Sequence, residues 1–287
     1  MLRLAVILRP RLTAVPPSNY DSLSMNRIQQ PAVTIFAVGM IGLGILALIY
    51  GDFALVWQPV ASRVPGRTAL AYGSGVLMIL AGAGLLFRAT AAWSARILFP
   101  YLIVWTLLKA PDLLTAPQIE GSWLGFGELA VLLSGGWTLF ARLGEFREGS
   151  SGSWLNFATG DSGVRIARIL FALWVIPIGL SHLVYPVATA QYVPAWLPFR
   201  IDWAYLTGAG QMASGLGVLF NIVPRFAAWA EVEQITFYTF LVWAPAIAAA
   251  PKTRLPWTAF FISWTIGAAV YTVAQNIVTK EVAAPQI

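Results

Sequence analysis

The sequence predicts an all-α membrane protein with eight transmembrane helices, arranged as two parallel-repeated four-helix bundles. Three observations lead to this fold class. Only 10% of the 287 residues are charged, against roughly a quarter in soluble domains, and the mean hydropathy is +0.72. Several apolar runs reach about 20 residues, enough to cross a hydrocarbon core of roughly 30 Å. The second half of the chain repeats features of the first at a nearly constant shift.

Eight apolar stretches are long enough to be interpreted as spans. They cover residues 32–50, 68–87, 96–110, 122–142, 165–185, 203–222, 228–249 and 256–277. The third is the shortest. It begins at Arg96 and contains Pro100.

The connecting segments divide the chain into two units. Residues 1–31 are polar and are interrupted by several prolines, so we predict a disordered cytoplasmic tail. Residues 143–164 are rich in Gly and Ser and form the predicted linker between unit 32–142 and unit 165–277. Residues 278–287 form a predicted C-terminal tail.

The orientation follows from the distribution of basic residues. With eight spans both termini lie on one side, and 12 of the 18 Lys and Arg residues fall on that side. The other six are Arg63, Arg67, Lys109, Arg200, Lys252 and Arg254. Cytoplasmic segments carry the excess of Lys and Arg, so we expect both termini to be cytoplasmic, in the inner membrane.

The internal repeat is visible when the second half is laid on the first without gaps. Pro65 then aligns with Pro198, Tyr72 with Tyr205, and the segment GAGLLF with GLGVLF. A shift of four spans preserves the direction of the chain, so the repeat is parallel, with a pseudo-two-fold axis along the membrane normal. The glycines of spans two and six are predicted to pack helices, because small residues permit close approach in lipid. They are Gly75, Gly82, Gly84, Gly208, Gly215 and Gly217.

The second unit resembles the DoxX family of four-span membrane proteins. The resemblance rests on several segments in the same order along the chain: ARIL from Ala167, the residues from Gly179 to His182, VPAWLP at 193–198, GVLF ending at Phe220, and RFAA from Arg225. It covers about residues 164–277, with a weaker copy at about 32–142, and implies a tandem DoxX-like protein.

The resemblance implies one candidate activity. One branch of the family is a quinone-reducing membrane subunit associated with thiosulfate oxidation. Relatives often carry Lys where this chain has His182 and an acidic residue where it has Gln211; the corresponding places in the first unit fall near Tyr50 and Met78. Both units therefore depart from the charged pair of the family, which weakens any ion-paired role carried over from it.

Polar residues inside the spans are the candidate ligand-binding residues, because such residues are costly in lipid. His182, the single histidine, lies near the outer end of span five and could carry a proton or bind a quinone carbonyl. Gln211 lies in span six and Glu128 in span four, each about two turns from the outer end of its span. Tyr50 is included through the family alignment. Each also has a structural interpretation: His182 as an interfacial residue, Gln211 as a link between helices.

Several classes of chemistry are excluded. The absence of cysteine rules out disulfides and thiolate metal sites within the chain. One histidine cannot supply bis-histidine haem ligation, and no metal-ligand spacing is present, so we predict no metal and no catalytic residues. The net charge of +6 reflects orientation in the bilayer, and we do not expect nucleic-acid binding.

Three functions remain compatible with the sequence. The first is a DoxX-like membrane protein without independent catalysis, which binds a small hydrophobic molecule or serves as a membrane subunit beside a protein partner. The second is a redox subunit that passes electrons to a membrane quinone held by His182, Gln211 and Glu128. The third is a small-solute transporter whose two repeats rock about a central path.

Overall fold

The computed structural model describes residues 19–144 and 154–277, and within these ranges the fold consists of helices without β-strands. A 3₁₀ turn at Trp154–Ala158 precedes α5, and a π-helical segment at Tyr238–Trp243 joins α8 to α9. The helices are α1 Asn19–Tyr50, α2 Arg67–Leu85, α3 Arg88–Thr115, α4 Glu120–Leu143, α5 Gly160–Val184, α6 Pro186–Ala190, α7 Arg200–Leu219, α8 Pro224–Phe237, α9 Ala244–Ala249 and α10 Arg254–Gln275.

Seven helices in the described ranges are long and apolar enough to cross a membrane. They are α1 from Pro31 onward, α2, α3, α4, α5, the continuous α8–α9 unit and α10. The prediction of a multi-pass helical membrane protein is confirmed. The predicted sixth span forms α7, but it is not one of the seven, because Asp202, Gln211 and several glycines lower its hydropathy.

The predicted start of the first span needs correction. Helix α1 begins at Asn19, so residues 19–31 are helical although we expected a disordered tail. The helix continues through Pro31, because a proline inside a helix removes only one backbone hydrogen bond and long apolar helices tolerate this. Residues 1–18 of the predicted tail and the C-terminal residues 278–287 lie outside the described residues.

The third span and the linker also differ from expectation. Helix α3 is 28 residues long rather than the shortest span, because it runs past Arg96 and Pro100 in both directions. The Arg96 guanidinium donates to the Gly144 carbonyl at the end of α4, so this charge is accommodated at a helix terminus. Helix α5 begins at Gly160, inside the predicted linker, of which residues 145–153 lie outside the described chain.

Eight of the described helices form a closed circuit, and two of its members also contact each other. Each helix packs on the next in the order α1, α2, α3, α4, α5, α7, α8 and α10, and α10 returns to α1. Helices α4 and α10 also pack on each other across the centre. The most hydrophobic stretch of α4 is 78% buried, whereas that of the α8–α9 unit is 11% buried, so α4 lies at the core and α8–α9 at the periphery.

Helices α4 and α10 each pack on a helix from the other half of the chain. Helix α4 packs more closely on α5 than on α1, and α10 packs more closely on α1 than on α5. Small residues make both contacts close: a Cβ added at Gly127 would lie 2.9 Å from the Trp174 carbonyl oxygen, and one at Gly42 would overlap the Phe261 ring. Each half is therefore completed by a helix of the other.

Candidate functional site

His182 lies in the last turn of α5 and faces α7. Its Nδ1 is 3.0 Å from the Thr207 hydroxyl, and its ring centre is 5.7 Å from that of Tyr238. Thr207 donates in turn to the Trp203 carbonyl within α7. The imidazole is half-buried and has a defined polar partner on the neighbouring helix, so it belongs to the contact between α5 and α7.

Gln211 pairs with an acidic residue of α8. Its Nε2 donates to Glu231 Oε1 at 3.1 Å, and the two residues are 2% and 1% exposed. The remaining acceptors, Gln211 Oε1 and Glu231 Oε2, are buried and have no hydrogen-bond partner in the described chain. This arrangement is a buried acid–amide pair with two unsatisfied oxygens.

Sequence reasoning missed the position of Glu231. The predicted seventh span begins at residue 228, which would place Glu231 in its first turn, where glutamates suit the helix macrodipole. Instead Glu231 lies two turns inside α8 and faces α7. The spacing of Glu231, Gln234 and Tyr238 at i, i+3 and i+7 was the available signal, since it places all three on one helical face.

Gln234 extends the polar contact toward His182. Its Nε2 donates to the Thr207 carbonyl at 2.9 Å and lies 3.0 Å from the Tyr238 hydroxyl. Gly210 leaves room for it, because a Cβ there would be 2.7 Å from Gln234 Oε1. A series of polar side chains therefore links α5, α7 and α8.

His182 and Gln211 lie on the same helix contact without bonding each other in the described structure. Added Cβ atoms show the proximity: one at Gly208 would be 2.8 Å from His182 Cβ, and one at Gly179 would be 2.9 Å from Gln211 Cβ. Each nevertheless has its own partner, Thr207 for His182 and Glu231 for Gln211. The two predicted residues are neighbours with separate hydrogen bonds.

Glu128 belongs to a different region, in the first half. Its Oε2 accepts a hydrogen bond from the Trp57 indole at 3.2 Å. Lys109 is nearby on α3, where its Nζ is 2.8 Å from Asp112 and its Cε would be 2.8 Å from a Cβ at Gly125. The structure therefore does not bring Glu128 together with His182 or Gln211.

The segment between α1 and α2 supplies a polar cluster that the sequence did not indicate. Gln58 Nε2 lies 2.9 Å from the Ser74 hydroxyl and 2.8 Å from the Tyr101 hydroxyl, which are 2.8 Å from each other. Phe53 and Trp57 of the same segment are 4% and 3% exposed. This segment thus folds into the end of the first half and seals it.

Tyr50 lies at the end of α1, beside an ionic network and away from the polar side chains that link α5, α7 and α8. The Arg254 guanidinium is 5.2 Å from the centre of its ring. Asp52 accepts from Arg254 at 2.9 Å, from the Phe53 amide at 2.7 Å and from Arg67. Burial would raise the pKa of Asp52, but these hydrogen bonds outweigh burial and hold the pKa below its ordinary value of 3.8.

A groove on the side of the bundle has a volume of about 270 Å³. It lies between α1, α8 and α10, and we call it the lateral groove. Four aromatic side chains, three from helices α8 and α10 and one from the π-helical segment, form much of its wall. Its lining residues are Ile35, Trp229, Val232, Thr236, Thr239, Phe240, Trp264, Gly267, Ala268 and Tyr271.

In comparisons with known proteins, no family model, no curated protein and no solved structure matches this chain. The resemblance to the DoxX family therefore stays a prediction. In the part of the chain that the structure describes, no group of His, Cys, Asp and Glu side chains is arranged to hold a metal ion.

Proposed function

We propose that this chain is an integral membrane protein without catalysis of its own that binds a small hydrophobic molecule in the lateral groove. The observation that carries the proposal is the groove itself, about 270 Å³ in volume and walled by Trp229, Phe240, Trp264 and Tyr271. Ligand pockets measure roughly 300 to 1,000 Å³, so the groove suits a slender molecule or the tail of a larger one.

The polar atoms of the groove support an apolar ligand. The Thr239 hydroxyl is 2.9 Å from both the Ile235 carbonyl and the Ser263 hydroxyl, and the Trp264 indole donates to the Ile35 carbonyl at 2.8 Å. These groups are already paired within the protein. A ligand with a charged head inside the groove would lose its hydration without equal compensation, which favours an acyl or isoprenoid chain.

The second part of the proposal is that the chain is a tandem of two four-helix units, α1–α4 and α5–α10, related by a pseudo-two-fold axis. The helix contacts support it. If the two units are related by a two-fold axis, the contact of α1 with α2 corresponds to that of α5 with α7. The contact of α4 with α5 likewise corresponds to that of α10 with α1. All four contacts are extensive. The α4–α10 contact is exchanged with itself, as expected for two helices that flank the axis.

Matched glycines support the same relation. A Cβ added at Gly75 would lie 3.0 Å from the Gly44 carbonyl oxygen, and one at Gly208 would lie 2.7 Å from the Gly179 carbonyl oxygen. The first pair joins α1 to α2 and the second joins α5 to α7. Gly82 and Gly215 repeat the pattern further along the same helices, while Gly84 and Gly217 face the beginnings of α3 and α8.

The entries into α2 and α7 also correspond. Arg67 Nε donates to the Val60 carbonyl at 3.1 Å, and Arg200 Nε donates to the Val193 carbonyl at 3.0 Å. The preceding residue is left-handed in both units, with φ of 67° at Gly66 and 55° at Phe199. A bulky residue in this conformation costs on the order of 1 kcal/mol, so its occurrence at the matched position favours a shared backbone.

The position of the axis gives independent support. In the register that aligns Trp123 with Trp257, Gly135 of α4 is equivalent to Ala269 of α10. These two residues face each other, since a Cβ at Gly135 would be 2.5 Å from Ala269 Cβ. Residues related by a two-fold axis contact each other only where the axis passes between them.

The π-helical segment accounts for extra residues in the second unit. The interval between Trp93 and Trp105 is shorter than the interval between their counterparts, Trp229 and Trp243. The π-helical segment Tyr238–Trp243 lies in the longer interval. Wider turns of this kind arise when residues are added to an α-helix.

Helix α7 is the eighth span in this proposal. It contacts α5 at both Gly208 and Gly215, about 10 Å apart along the helix, and it also packs on α8. A helix held in this way between two spans runs alongside them. Both termini then lie on one side, and the excess of Lys and Arg there assigns it to the cytoplasm. A tandem of four-span units agrees with the DoxX-like resemblance.

The other two functions fit the arrangement less well. A quinone in the lateral groove would not touch His182, Gln211 or Glu128, since none of them lines it. Rocking of two rigid repeats requires halves that separate, whereas here each half contributes its last helix to the other.

The test is to identify what the groove holds. The protein is purified in mild detergent, and its organic extract is analysed by mass spectrometry and by absorbance. We expect an apolar molecule at a near-stoichiometric level in the wild type, reduced several-fold in Thr236→Phe, which places a ring in the groove. Leu107→Phe, on an exposed position of α3, is the matched control and should retain it.

Two outcomes would contradict the proposal. One is an extract that contains only bulk lipid in proportion to the detergent micelle. The other is equal retention by Thr236→Phe and Leu107→Phe. Recovery of a quinone that is lost on substitution of His182 rather than of Thr236 would favour the redox alternative.

A further inference from the structure

The pair formed by Gln211 and Glu231 has one hydrogen bond and two buried oxygen atoms without a donor. The amide uses Nε2 on Glu231 Oε1, which leaves Gln211 Oε1 and Glu231 Oε2 buried without partners in the described chain. An isolated carboxylate in a low-dielectric interior is among the costliest groups in a protein. Some donor must therefore accompany this pair in the folded protein.

Basic side chains of the neighbouring helices bond elsewhere or lie far away: Arg168 of α5 donates to the Val218 carbonyl and to Asn221. On α7, Arg200 and Asp202 lie at the opposite end of the helix, and Asp202 is about 14 Å along the axis from Gln211. On α10, Arg254 lies at the outer end, where it bonds Asp52.

Two phenols lie on the elements around Glu231. Tyr238, two turns further along the same helical face, is 3.0 Å from Gln234 Nε2 through its hydroxyl. Tyr271 of α10 packs on Trp229, at a ring distance of 5.1 Å. Neither supplies a positive charge, so the packed elements leave a carboxylate at this position without a counter-ion.

We propose that Glu231 is a proton-binding site, and that its carboxyl group holds a proton which completes a neutral acid–amide pair with Gln211. A proton fits the observations because it converts Oε2 from an acceptor into a donor and needs no additional volume. Gln211 and Glu231 line neither the lateral groove nor the small cavity beside Arg142.

The first half shows that this pair is not required for helix packing. In the register that aligns Gly75 with Gly208, Gln211 corresponds to Met78. In the register that aligns Trp93 with Trp229, Glu231 corresponds to Ala95. Met78 and Ala95 are 3% and 1% exposed. Under the proposed tandem, two buried apolar residues occupy the matched positions of the first half, so we infer that the acid–amide pair of the second half serves a purpose other than packing.

Infrared difference spectroscopy of the full-length protein in lipid nanodiscs tests the proposal. A protonated carboxyl group has a C=O stretch that a carboxylate lacks. At neutral pH we expect one such band to be lost in Glu231→Gln, which keeps the shape and remains neutral. Glu128→Gln is the matched control and should retain that band.

A second variant keeps the test decisive if Glu231→Gln does not fold. Gln211→Leu removes the amide donor and should move the same band to higher frequency, because the carbonyl loses a hydrogen bond. A carboxyl band that is absent from the wild type, or unchanged in both variants, would show that Glu231 is ionised and would overturn the proposal.

Discussion

Asp52 joins the beginning of the second helix to the beginning of the last, two segments that are far apart in the chain. Its two oxygens accept from Arg67, which begins α2, and from Arg254, which begins α10. The Arg254 guanidinium also lies over the Tyr50 ring. This carboxylate therefore joins the last helix to the loop after α1, and we expect it to contribute to the free energy of unfolding.

We expect Asp52→Asn to lower the free energy of unfolding by about 1 kcal/mol, because the group is about a quarter exposed and the ion pairs are partly screened. The pKa of Asp52 is lower in the folded protein than its ordinary value of 3.8. Its contribution is therefore complete above that value and is lost as pH falls through the folded pKa. Thermal unfolding in detergent as a function of pH measures both effects.

Asp112→Asn is the control for this prediction. Asp112 is half exposed and pairs with Lys109 within one helix, so its removal should cost only a few tenths of a kcal/mol. Equal losses in the two variants, or a wild type whose stability is the same above and below the titration of Asp52, would contradict the role of the network.

The individual polar residues were only partly predictable. His182 and Gln211 stand out because each interrupts an apolar run, and the structure indeed gives each a partner on a neighbouring helix. The partner of Gln211 depends on how α8 is rotated about its own axis, and the hydrophobic periodicity of the sequence did not predict that rotation. Gln58 was missed because loop glutamines usually face water, whereas the loop that carries it folds into the bundle.

At the scale of helices, glycines decide which pairs approach closely. A Cβ at Gly215 would lie 2.7 Å from the Ala172 carbonyl oxygen, which is backbone and cannot rotate away. We expect Gly215→Ala to separate α5 from α7 and to lower the free energy of unfolding by about 2 kcal/mol, the typical cost of overpacking. Thermal unfolding by tryptophan fluorescence measures the change.

Gly73→Ala is the matched control, because Gly73 also lies inside a helix but a Cβ there meets no atom within 4 Å. Alanine favours helix over glycine by about 1 kcal/mol, so this variant should be neutral or more stable. A destabilisation of both variants by the same amount would mean that backbone flexibility, rather than close packing, explains the glycines.

Helices were the most predictable level of the structure, and their ends the least. Hydropathy located the long helices of the described chain, because the bilayer requires about 20 apolar residues. The ends of α1 and α3 were misplaced, since α1 begins before residue 32 and α3 begins before Arg96 and continues beyond residue 110. The π-helical segment at 238–243 has no local sequence signal, and only the unequal spacing of the tryptophans pointed to added residues.

At the scale of the whole molecule, the exchange of terminal helices could not be predicted from the repeat. A duplicated sequence is equally consistent with two closed bundles and with halves that complete each other. The repeat does not show whether the last helix of a unit contacts the first helix of its own unit or that of the other unit. The close approaches of Gly42 to Phe261 and of Gly127 to Trp174 select the second arrangement.

The two halves also differ at the ends where α1 and α5 finish. In the first half Trp57 is 3% exposed, whereas in the corresponding loop of the second half Trp196 is 72% exposed. The proposed proton-binding pair lies in the second half. The loop after α1 therefore folds into the bundle, whereas the corresponding loop of the second half leaves Trp196 exposed.

The tandem arrangement requires that α7 crosses the membrane. Matched loops of the two units then lie on the same side. The chain has no cysteine, so single cysteines can be introduced without background. Suitable exposed positions in or beside loops are Ala61→Cys, Ala195→Cys, Ala89→Cys and Ile222→Cys, and their reaction with a membrane-impermeant maleimide reports their side. We expect Ala61→Cys and Ala195→Cys to react from one side, and Ala89→Cys and Ile222→Cys from the other. Labelling of Ile222→Cys from the same side as Ala195→Cys would show that α7 does not cross, and would contradict the tandem arrangement.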